Sequence, residues 1–284
     1  MDRPTIGAHV SAAGGLLNAI LHAQHIGAEA IQFFGSSPRQ WAVRMPSAKD
    51  SAAFKIAAKQ AQLHAVFLHA PYLINLATSD VPLWKKSVAL LTATMKISEM
   101  IGAKGAIVHV GSGEGGLFRE QSLARATSGI KQVLRQVSGK SLVIIENSAG
   151  GGEKVGKDLA EIAWFIKKTG SKRVGVCLDT AHAFEAGITE YSSTGVQKLA
   201  NEVERTIGWP RLVVLHANDS KTAFNSKHDR HENIGKGHIG EEGFKNLLRH
   251  EKFRCVPFVL EVPGYDGNGP DKRNVDALKR LATQ

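Results

Sequence analysis

The sequence has few cysteines and no apolar run long enough to cross a membrane. Its 284 residues include two cysteines, Cys177 and Cys255, which are too few for a disulfide framework and indicate a reducing compartment. No stretch approaches the roughly 20 apolar residues that span a bilayer, so we expect no membrane contact. The first residues, MDRPTIGAHV, lack the apolar segment of a signal peptide. We therefore expect a cytoplasmic protein.

Linkers, internal repeats and low-complexity tracts are also missing. A chain of 284 residues can form one large domain or two average ones. Because no such tract interrupts the pattern, we expect one domain spanning residues 1–284. A doubly wound open sheet would need a glycine-rich phosphate-binding turn or a second domain, and the sequence shows no convincing sign of either.

Short β-branched runs alternate with longer segments of helical periodicity. The strand candidates are Thr5–His9, Ala30–Phe34, Val66–His69, Ala106–His109, Leu142–Glu146, Gly175–Asp179, Leu212–His216 and Phe258–Glu261. The helix candidates are Ala13–His25, Ser51–Gln62, Leu83–Ile101, Ser122–Val137, Lys157–Thr169, Gly195–Ile207 and Glu242–Arg249. Several of them end at a glycine, which commonly closes a helix. This alternation predicts parallel strands joined by right-handed crossovers. Eight such units predict an α/β fold, a closed (β/α)₈ TIM barrel.

Most of these strand candidates end on a residue that can bind a transition metal. The six strand-end residues are His69, His109, Glu146, Asp179, His216 and Glu261. Three further candidates, His182, Asp229 and His231, lie in the loops that follow strands. Active-site residues of TIM barrels come from the carboxyl ends of strands and the loops after them. We therefore expect these nitrogen and oxygen donors to meet at one mouth of the barrel.

Structural roles are the alternative for each donor taken singly. A lone histidine at a strand end is more often a hydrogen-bonded structural residue, and Asp179 has the position of a helix N-cap. Six such strand ends are harder to explain, since each unpaired polar group buried near the core costs several kcal/mol. Nine donors exceed the four ligands of one zinc ion and fit two or three ions. Glu146 is the natural bridge between two of them.

The charge of the chain suggests the class of substrate. A formal net charge of +10 attracts polyanions such as nucleic acid. The alternative is a basic soluble protein that binds no polyanion. Divalent ions lower the pKa of bound water and offset charge on phosphoryl oxygens. A site of several metal ions in a basic protein thus predicts hydrolysis of phosphodiesters or phosphomonoesters.

Five segments resemble the endonuclease IV family of apurinic/apyrimidinic (AP) endonucleases. They are GAHVSAAGG (Gly7–Gly15), HAPYLINL (His69–Leu76), IENSAGGG (Ile145–Gly152), GVCLDTAHAFEAG (Gly175–Gly187) and HANDSK…DRHENIGKGHIG (His216–Gly240). The resemblance implies a (β/α)₈ barrel with three Zn²⁺ ions, and Mn²⁺ accepts the same donors. It assigns His69, His109 and Glu146 to the first ion. Glu146, Asp179, His216 and Glu261 fall to the second, and His182, Asp229 and His231 to the third.

The resemblance also implies an activity in DNA repair. The family hydrolyses the phosphodiester 5′ to an abasic site, leaving a 3′-hydroxyl and a 5′-deoxyribose phosphate, and it removes 3′ blocking groups. Glu146 and Glu261 would then be the catalytic carboxylates, with Glu261 orienting the nucleophile. The partner would be double-stranded DNA with abasic sites or 3′-blocked ends. We expect a cytoplasmic monomer that associates with the nucleoid when it acts.

Some residues resemble the DNA contacts of this family. Tyr72 and Leu73 resemble a loop inserted into the vacated base stack, and Arg39 resembles an inserted arginine. The alternatives are a packed loop aromatic for Tyr72 and an ordinary phosphate contact for Arg39. A group of basic residues near the third ion would neutralise phosphates or form only a solvated face: Lys221, Lys227, Arg230 and Lys236.

Two other functions remain open from the sequence alone. Metal-dependent sugar isomerases and epimerases share this barrel, but they use fewer ions, and the loop Asp229–His231 would have no obvious role there. A non-catalytic binder of damaged DNA is the second alternative, which the intact donor set disfavours.

One residue and one segment stay outside these assignments. His9 is expected to hydrogen-bond a metal ligand, and the packing of Gly264–Pro270 is not predicted.

Overall fold

The computed structural model describes residues 3–113 and 118–283; the remainder of the predicted domain 1–284 lies outside the described residues. The strands are β1 Ile6–His9, β2 Ala30–Phe34, β3 Ala65–His69, β4 Gly105–Val108, β5 Leu142–Glu146, β6 Val174–Asp179, β7 Leu212–His216, β8 Asp219–Ser220, β9 His231–Glu232 and β10 Phe258–Leu260. Eight of them form a closed parallel barrel in the order β1-β10-β7-β6-β5-β4-β3-β2. This confirms the predicted (β/α)₈ TIM barrel. The short strands β8 and β9 pair with each other antiparallel.

Helices surround the barrel. They are α1 Leu16–Ile26, α2 Ala48–Gln60, α3 Val81–Ile101, α4 Arg119–Gln136, α5 Leu159–Thr169, α6 Thr180–Glu185, α7 Ser193–Thr206, α8 Gly240–Arg249 and α9 Lys272–Thr283. Among the described residues, no helix is both long and apolar enough to cross a bilayer. Local chemistry explains several helix ends. Ser47 and Asp80 cap the amino ends of α2 and α3 through their side chains. Gly102 and Gly170 end α3 and α5 at φ of 72° and 67°.

The interior of the barrel contains an apolar layer. It consists of Ala30, Ala65, Phe67, Ile107, Ile144, Cys177, Val214 and Val259, all of them buried. Residues two apart on a strand point to the same face. The position two residues after six members of this layer holds a predicted donor: His69, His109, Glu146, Asp179, His216 or Glu261. Strand alternation therefore places these donors on the inward face, above an apolar floor.

Two of the predicted strand ends are wrong by one residue. Strand β4 ends at Val108 and β10 at Leu260, so His109 and Glu261 follow their strands directly. Pairing between β3 and β4 stops at His69 and Ile107, because β3 ends there. At the other position, the backbone N–H of Glu261 donates to Asn218 Oδ1 at 2.7 Å and not to a neighbouring strand. Both side chains keep the inward direction set by alternation.

Glu29 ties the amino end of the barrel together. Its carboxylate accepts from Ile6 N at 3.0 Å and from Arg3 Nη1 at 2.9 Å, and it lies 3.2 Å from Lys279 Nζ. Burial opposes ionisation, but these partners lower the pKa of Glu29 to about 2. A carboxyl group with a lowered folded-state pKa stabilises the fold above its unfolded-state pKa. That contribution is lost as pH falls through the folded-state value.

We expect Glu29→Gln to lower the free energy of unfolding by about 2 kcal/mol at pH 7, allowing for partial solvent screening. The difference from the unsubstituted protein should persist down to about pH 4.5 and shrink as pH falls towards 2. Urea unfolding at pH 7, 4.5 and 3 measures it. A difference of the same size at pH 7 and pH 3 would mean that ionisation of Glu29 is not the cause.

Candidate metal centre

The structure brings the nine predicted donors together at the carboxyl end of the barrel. The first group is His69, His109 and Glu146, and the second group is Glu146, Asp179, His216 and Glu261. A further set of close donor atoms consists of Asp179, His182 and His231. Asp229 lies beside His182 and His231 of this set, and we call His182, Asp229 and His231 the third group. Glu146 belongs to two of them and is completely buried. His182, near Asp179 and Glu146, links the third group to the others.

The first group has spacings that suit a shared ion. His69 Nε2 lies 3.3 Å and His109 Nε2 lies 3.2 Å from Glu146 Oε2. Two ligands at 2.0–2.1 Å from a tetrahedral zinc ion lie about 3.3 Å apart. His69 and Glu146 are buried, whereas the His109 side chain is 33% exposed. The group is thus open to solvent on the side of His109.

The second group centres on His216. Its Nδ1 lies 2.8 Å from Glu146 Oε1, 3.2 Å from Glu261 Oε2 and 3.7 Å from Asp179 Oδ2. Asp179 also caps helix α6, because its Oδ1 accepts from His182 N at 2.8 Å. The helix-cap role and the donor role therefore use different oxygens of one carboxylate. Cys177 Sγ lies within 4.8 Å of donor atoms of Glu146 and His216, a neighbour that the sequence did not indicate.

The third group is nearer to solvent. Asp229 Oδ1 lies 3.2 Å from His182 Nε2 and 3.7 Å from His231 Nε2. Asp229 is 42% exposed along its side chain and also lies 3.8 Å from Lys154 Nζ. His231 belongs to β9, whose pairing with β8 brings it back over the barrel mouth. Asp179 Oδ2, 3.7 Å from His231 Nε2, connects this group to the second.

Hydrogen bonds at the far ring nitrogens orient the imidazoles. His69 Nδ1 lies 2.7 Å from the carbonyl oxygen of Ala70, and His182 Nδ1 lies 3.0 Å from that of Asn147. When each Nδ1–H donates to its carbonyl, the lone pair of Nε2 faces the carboxylates. Metal-binding histidines in proteins commonly have such a partner.

Two buried ring nitrogens support the fit to a metal. Nε2 of His182 and Nε2 of His231 have no hydrogen-bond partner among the described residues, and both face Asp229. Lone pairs directed at a carboxylate repel it unless a proton or a cation lies between them. Imidazole and carboxylate donors suit Zn²⁺ or Mn²⁺. The donor set therefore fits divalent transition-metal ions.

Electrostatic interactions within the site determine which of its donors carry a proton. Burial alone would raise the pKa of Glu146, but His109 and His216 hold it well below its ordinary value. Burial acts to lower the pKa of His182, whereas Asp179 and Asp229 raise it to about 10. The His109 ring has one exposed edge but is otherwise enclosed by protein, and this desolvation, together with the neighbouring His182 and His69, lowers its pKa to about 4. A metal ion bound here would therefore have to displace a proton at His182 but none at His109 near neutral pH.

The sequence reasoning missed polar residues that hold the donors. Gln32 Oε1 accepts from His216 Nε2 at 2.7 Å, and the Gln32 amide donates to Glu261 Oε1 and to His9 Nδ1. Asn218 Nδ2 donates to Asp179 Oδ2 at 2.6 Å. Gln32 lies two residues after Ala30 of the apolar layer, so strand alternation was a usable signal for it. His9 Nδ1 lies 3.4 Å from Glu261 Oε1, beside a predicted ligand.

The residues that resemble DNA contacts lie around the mouth. Tyr72 is 66% exposed, and its ring centroid is 5.3 Å from that of Phe34 and 5.7 Å from that of His69. Leu73 is half-buried and packs against the core. Arg39 is exposed in the loop between β2 and α2.

The basic residues in and after the loop between β8 and β9 differ in whether their charged groups already have partners within the protein. Lys221 and Arg230 are exposed, and the Arg230 guanidinium donates to the carbonyl of Asp229. Lys236, just after β9, is also exposed. Lys227 is exposed as well, but its Nζ donates to the carbonyl of Ala186 at 2.6 Å, so its ammonium group already has a partner within the chain.

A cleft of about 1140 Å³ opens beside the site between the loops that follow β1 and β2. His9 and Phe34 are among the residues that line it, as are Asn268, Gly269 and Pro270 of the glycine-rich segment whose packing the sequence left open. Gly269 N donates to the carbonyl of Pro263 at 2.9 Å and closes this segment into a turn. Gly264 has a φ of 76°, and a Cβ there would lie 1.9 Å from Gly269 O, so no larger residue fits.

Comparisons with known proteins identify the family. The family model described as Xylose isomerase-like TIM barrel matches residues 20–283. A relative from Halothermothrix orenii named "Probable endonuclease 4" is 37% identical over 278 residues, which is 97% of this chain and 99% of the relative. The crystal structure of endonuclease IV from Thermus thermophilus matches with a TM-score of 0.87 at 31% identity, covering 99% of each chain.

A D-tagatose 3-epimerase-like protein also matches, with a TM-score of 0.74 at 16% identity, covering 98% of this chain and 97% of that one. At that identity the likeness shows the barrel fold alone. Endonuclease 4 relatives from Halothermothrix orenii and Nitratidesulfovibrio vulgaris, in contrast, match at 37% identity over 99% of their own length. The resemblance carried by the five sequence segments is thereby confirmed, and this chain belongs to the endonuclease IV family.

Proposed function

We propose that the protein is a zinc-dependent AP endonuclease of DNA base excision repair. It hydrolyses the phosphodiester 5′ to an abasic site, leaving a 3′-hydroxyl and a 5′-deoxyribose phosphate, and removes 3′ blocking groups. The observation that carries the proposal is the convergence of three donor groups, joined through Glu146 and Asp179, at one mouth of the barrel. Three Zn²⁺ ions, one for each group, account for all nine donors; Mn²⁺ would suit the same donors.

The protein's own residues supply orientation for this reaction. Zinc ions, when bound, lower the pKa of water and offset charge on the phosphoryl oxygens. Glu261, held by Gln32 and Asn218, orients the attacking water in line with the scissile bond. Glu146 keeps the first two groups at a fixed separation, because its Oε2 faces His69 and His109 and its Oε1 faces His216. His182, Asp229 and His231 would hold an ion at the rim of the barrel, and such an ion would stabilise negative charge on the leaving 3′ oxygen.

DNA binding follows from charge and shape. The net charge of +10 favours capture of a polyanion. An abasic nucleotide has already lost its stacking, so it leaves the helix at low cost. Tyr72, Leu73 and Arg39 would occupy the vacated space, while Lys221 and Arg230 would contact flanking phosphates. Because one chain supplies every donor, we propose that the protein acts as a single-domain monomer, in the cytoplasm and on the nucleoid.

Incubation with an abasic-site duplex tests the proposal. We expect incision 5′ to the lesion and a 3′ end that a DNA polymerase extends. Binding without incision would instead indicate a non-catalytic binder of damaged DNA. If the protein neither binds nor incises this duplex, the sugar isomerase hypothesis is the one that remains. Elemental analysis is an independent test, because about three zinc ions per chain exceed the one or two of an isomerase.

Tyr72→Ala should weaken binding to an abasic-site duplex by roughly 5- to 150-fold, since stacking on an aromatic ring contributes about 1–3 kcal/mol. Binding to intact duplex should change much less, because no vacated space exists there. Fluorescence anisotropy with matched duplexes measures both affinities. The ring is mostly exposed, so its loss should leave the fold intact. Equal losses on the two duplexes would indicate that Tyr72 only packs the loop.

A further inference from the structure

The last residue of helix α6 is a fully buried carboxylate, Glu185. It lies three residues after His182 of the third group, on the same short helix. Its Oε1 accepts from Ser220 Oγ at 2.7 Å, from Thr222 Oγ1 at 3.3 Å and from Arg230 N at 3.2 Å. Its Oε2 has no hydrogen-bond partner among the described residues. A carboxylate is costly to bury, so its contacts with this one loop need an explanation.

These contacts join both ends of the loop between β8 and β9, which carries Asp229 and leads directly into His231. Ser220 is where the loop leaves β8, and Arg230 stands between the two donors. The hydrogen bond from the Arg230 backbone N–H therefore fixes the main chain between Asp229 and His231. That in turn sets the direction of both of these side chains. One oxygen of Glu185 thus reaches the entry of the loop and the segment that bears the donors.

The backbone at the end of α6 holds the middle of the same loop. The carbonyl of Phe184 accepts from Asn225 N at 3.1 Å, and that of Glu185 accepts from Lys227 N at 3.0 Å. Carbonyls at a helix carboxyl end have no partner within the helix, so they are available to a docked loop. Asn225 and Lys227 have φ of 63° and 64°, a left-handed conformation that suits this docking.

We propose that Glu185 is a positioning residue that fixes Asp229 and His231 opposite His182. The inference rests on the proposed function, since it concerns the third donor group. Glu185 is not one of the nine donors, and its side-chain contacts are with the loop. Its carboxylate makes α6 and the loop one unit, so that the three donors of the third group keep their spacing before any ion binds.

Substitution of Glu185 tests the proposal in two ways. In metal-free protein, Glu185→Ala should speed hydrogen exchange at the Arg230 amide by about tenfold or more, because that N–H loses its acceptor. In titrations with Zn²⁺ against a chromophoric chelator, one ion per chain should bind about 10- to 100-fold more weakly, as expected when a residue supporting a ligand is removed. Glu185→Gln keeps an oxygen acceptor and should restore both values to within a few-fold.

Two controls separate positioning from a general loss of stability. Glu29→Ala removes a carboxylate with comparable backbone and side-chain contacts at the opposite end of the barrel, and it should change neither readout. Ser220→Ala, a milder change at the same contact, should shift Arg230 exchange in the same direction by a few-fold.

Unchanged Arg230 exchange in Glu185→Ala, or equal weakening of all Zn²⁺ sites, would overturn the role of Glu185. Failure of the proposed function looks different. If the unsubstituted protein binds no Zn²⁺ and leaves abasic DNA intact, the enzyme assignment falls. Hydrogen exchange in the metal-free protein still decides whether Glu185 positions the loop.

Discussion

Glu146→Gln should lower the rate of abasic-site incision by at least about a thousandfold, since loss of a shared carboxylate removes several kcal/mol of transition-state stabilisation. Glu146 is within 3.3 Å of His69, His109 and His216, so one substitution disturbs two donor groups at once. Glutamine has nearly the same volume, so the buried position should remain filled. Single-turnover incision of an abasic-site duplex, with zinc analysis of each preparation, measures the effect.

Two control substitutions, Glu29→Gln and His64→Ala, lie at the opposite end of the barrel. Glu29→Gln makes the same chemical change outside the site and should leave incision within a few-fold. His109→Ala should behave like Glu146→Gln, whereas His64→Ala, at an exposed histidine before β3, should not. Circular dichroism should show the barrel intact in all four. Incision at the unsubstituted rate in Glu146→Gln would remove Glu146 from the mechanism.

Removal of metal should abolish incision and destabilise the fold. A ligand held at 100 times its Kd stabilises the folded state by about 2.7 kcal/mol. At about 2–4 °C per kcal/mol for a chain of this size, each such ion should raise the melting temperature by roughly 5–10 °C. Calorimetry of stripped and reloaded protein measures the shift. Full activity in exhaustively chelated protein would contradict the role of metal.

Metal loading should also depend on pH. The pKa of His182 in the metal-free site is raised to about 10, so this imidazole is protonated near neutrality and must lose a proton before it can bind an ion. Zn²⁺ affinity should therefore rise with pH between 6 and 8, with proton release on binding. Calorimetric titration in buffers of different ionisation enthalpy counts the protons. Buffer-independent heats would show that no proton is displaced.

The sequence predicted the barrel because its strands are short, β-branched and regularly spaced. It missed two helices for different reasons. Helix α6 has six residues and follows β6 without a break, so its few residues show no helical period. Helix α9 is strongly amphipathic, with Val275, Leu278 and Leu281 buried, but it follows the glycine-rich Gly264–Pro270 segment, where the strand–helix alternation is lost.

The donors could be predicted more readily than the residues that hold them. Histidines and carboxylates at the ends of apolar runs are unusual enough to notice in a sequence. Gln32 and Asn218 are ordinary polar residues whose role depends on which buried group they meet across the barrel. Glu185 shows the same limit, because its partners lie 35 to 45 residues away in sequence. Contacts of that kind are set by tertiary packing and leave no local pattern.

The apolar layer under the donors has a consequence for the approach of DNA. Directly below the donors lies a layer of apolar side chains with low polarisability, which includes Phe67, Ile107, Ile144 and Val214. Four carboxylates facing three divalent cations would leave the cluster net positive. With those ions bound, the low dielectric of the apolar layer would direct most of the field outward through the open mouth. The barrel would then attract the phosphate backbone of DNA before any side chain contacts it.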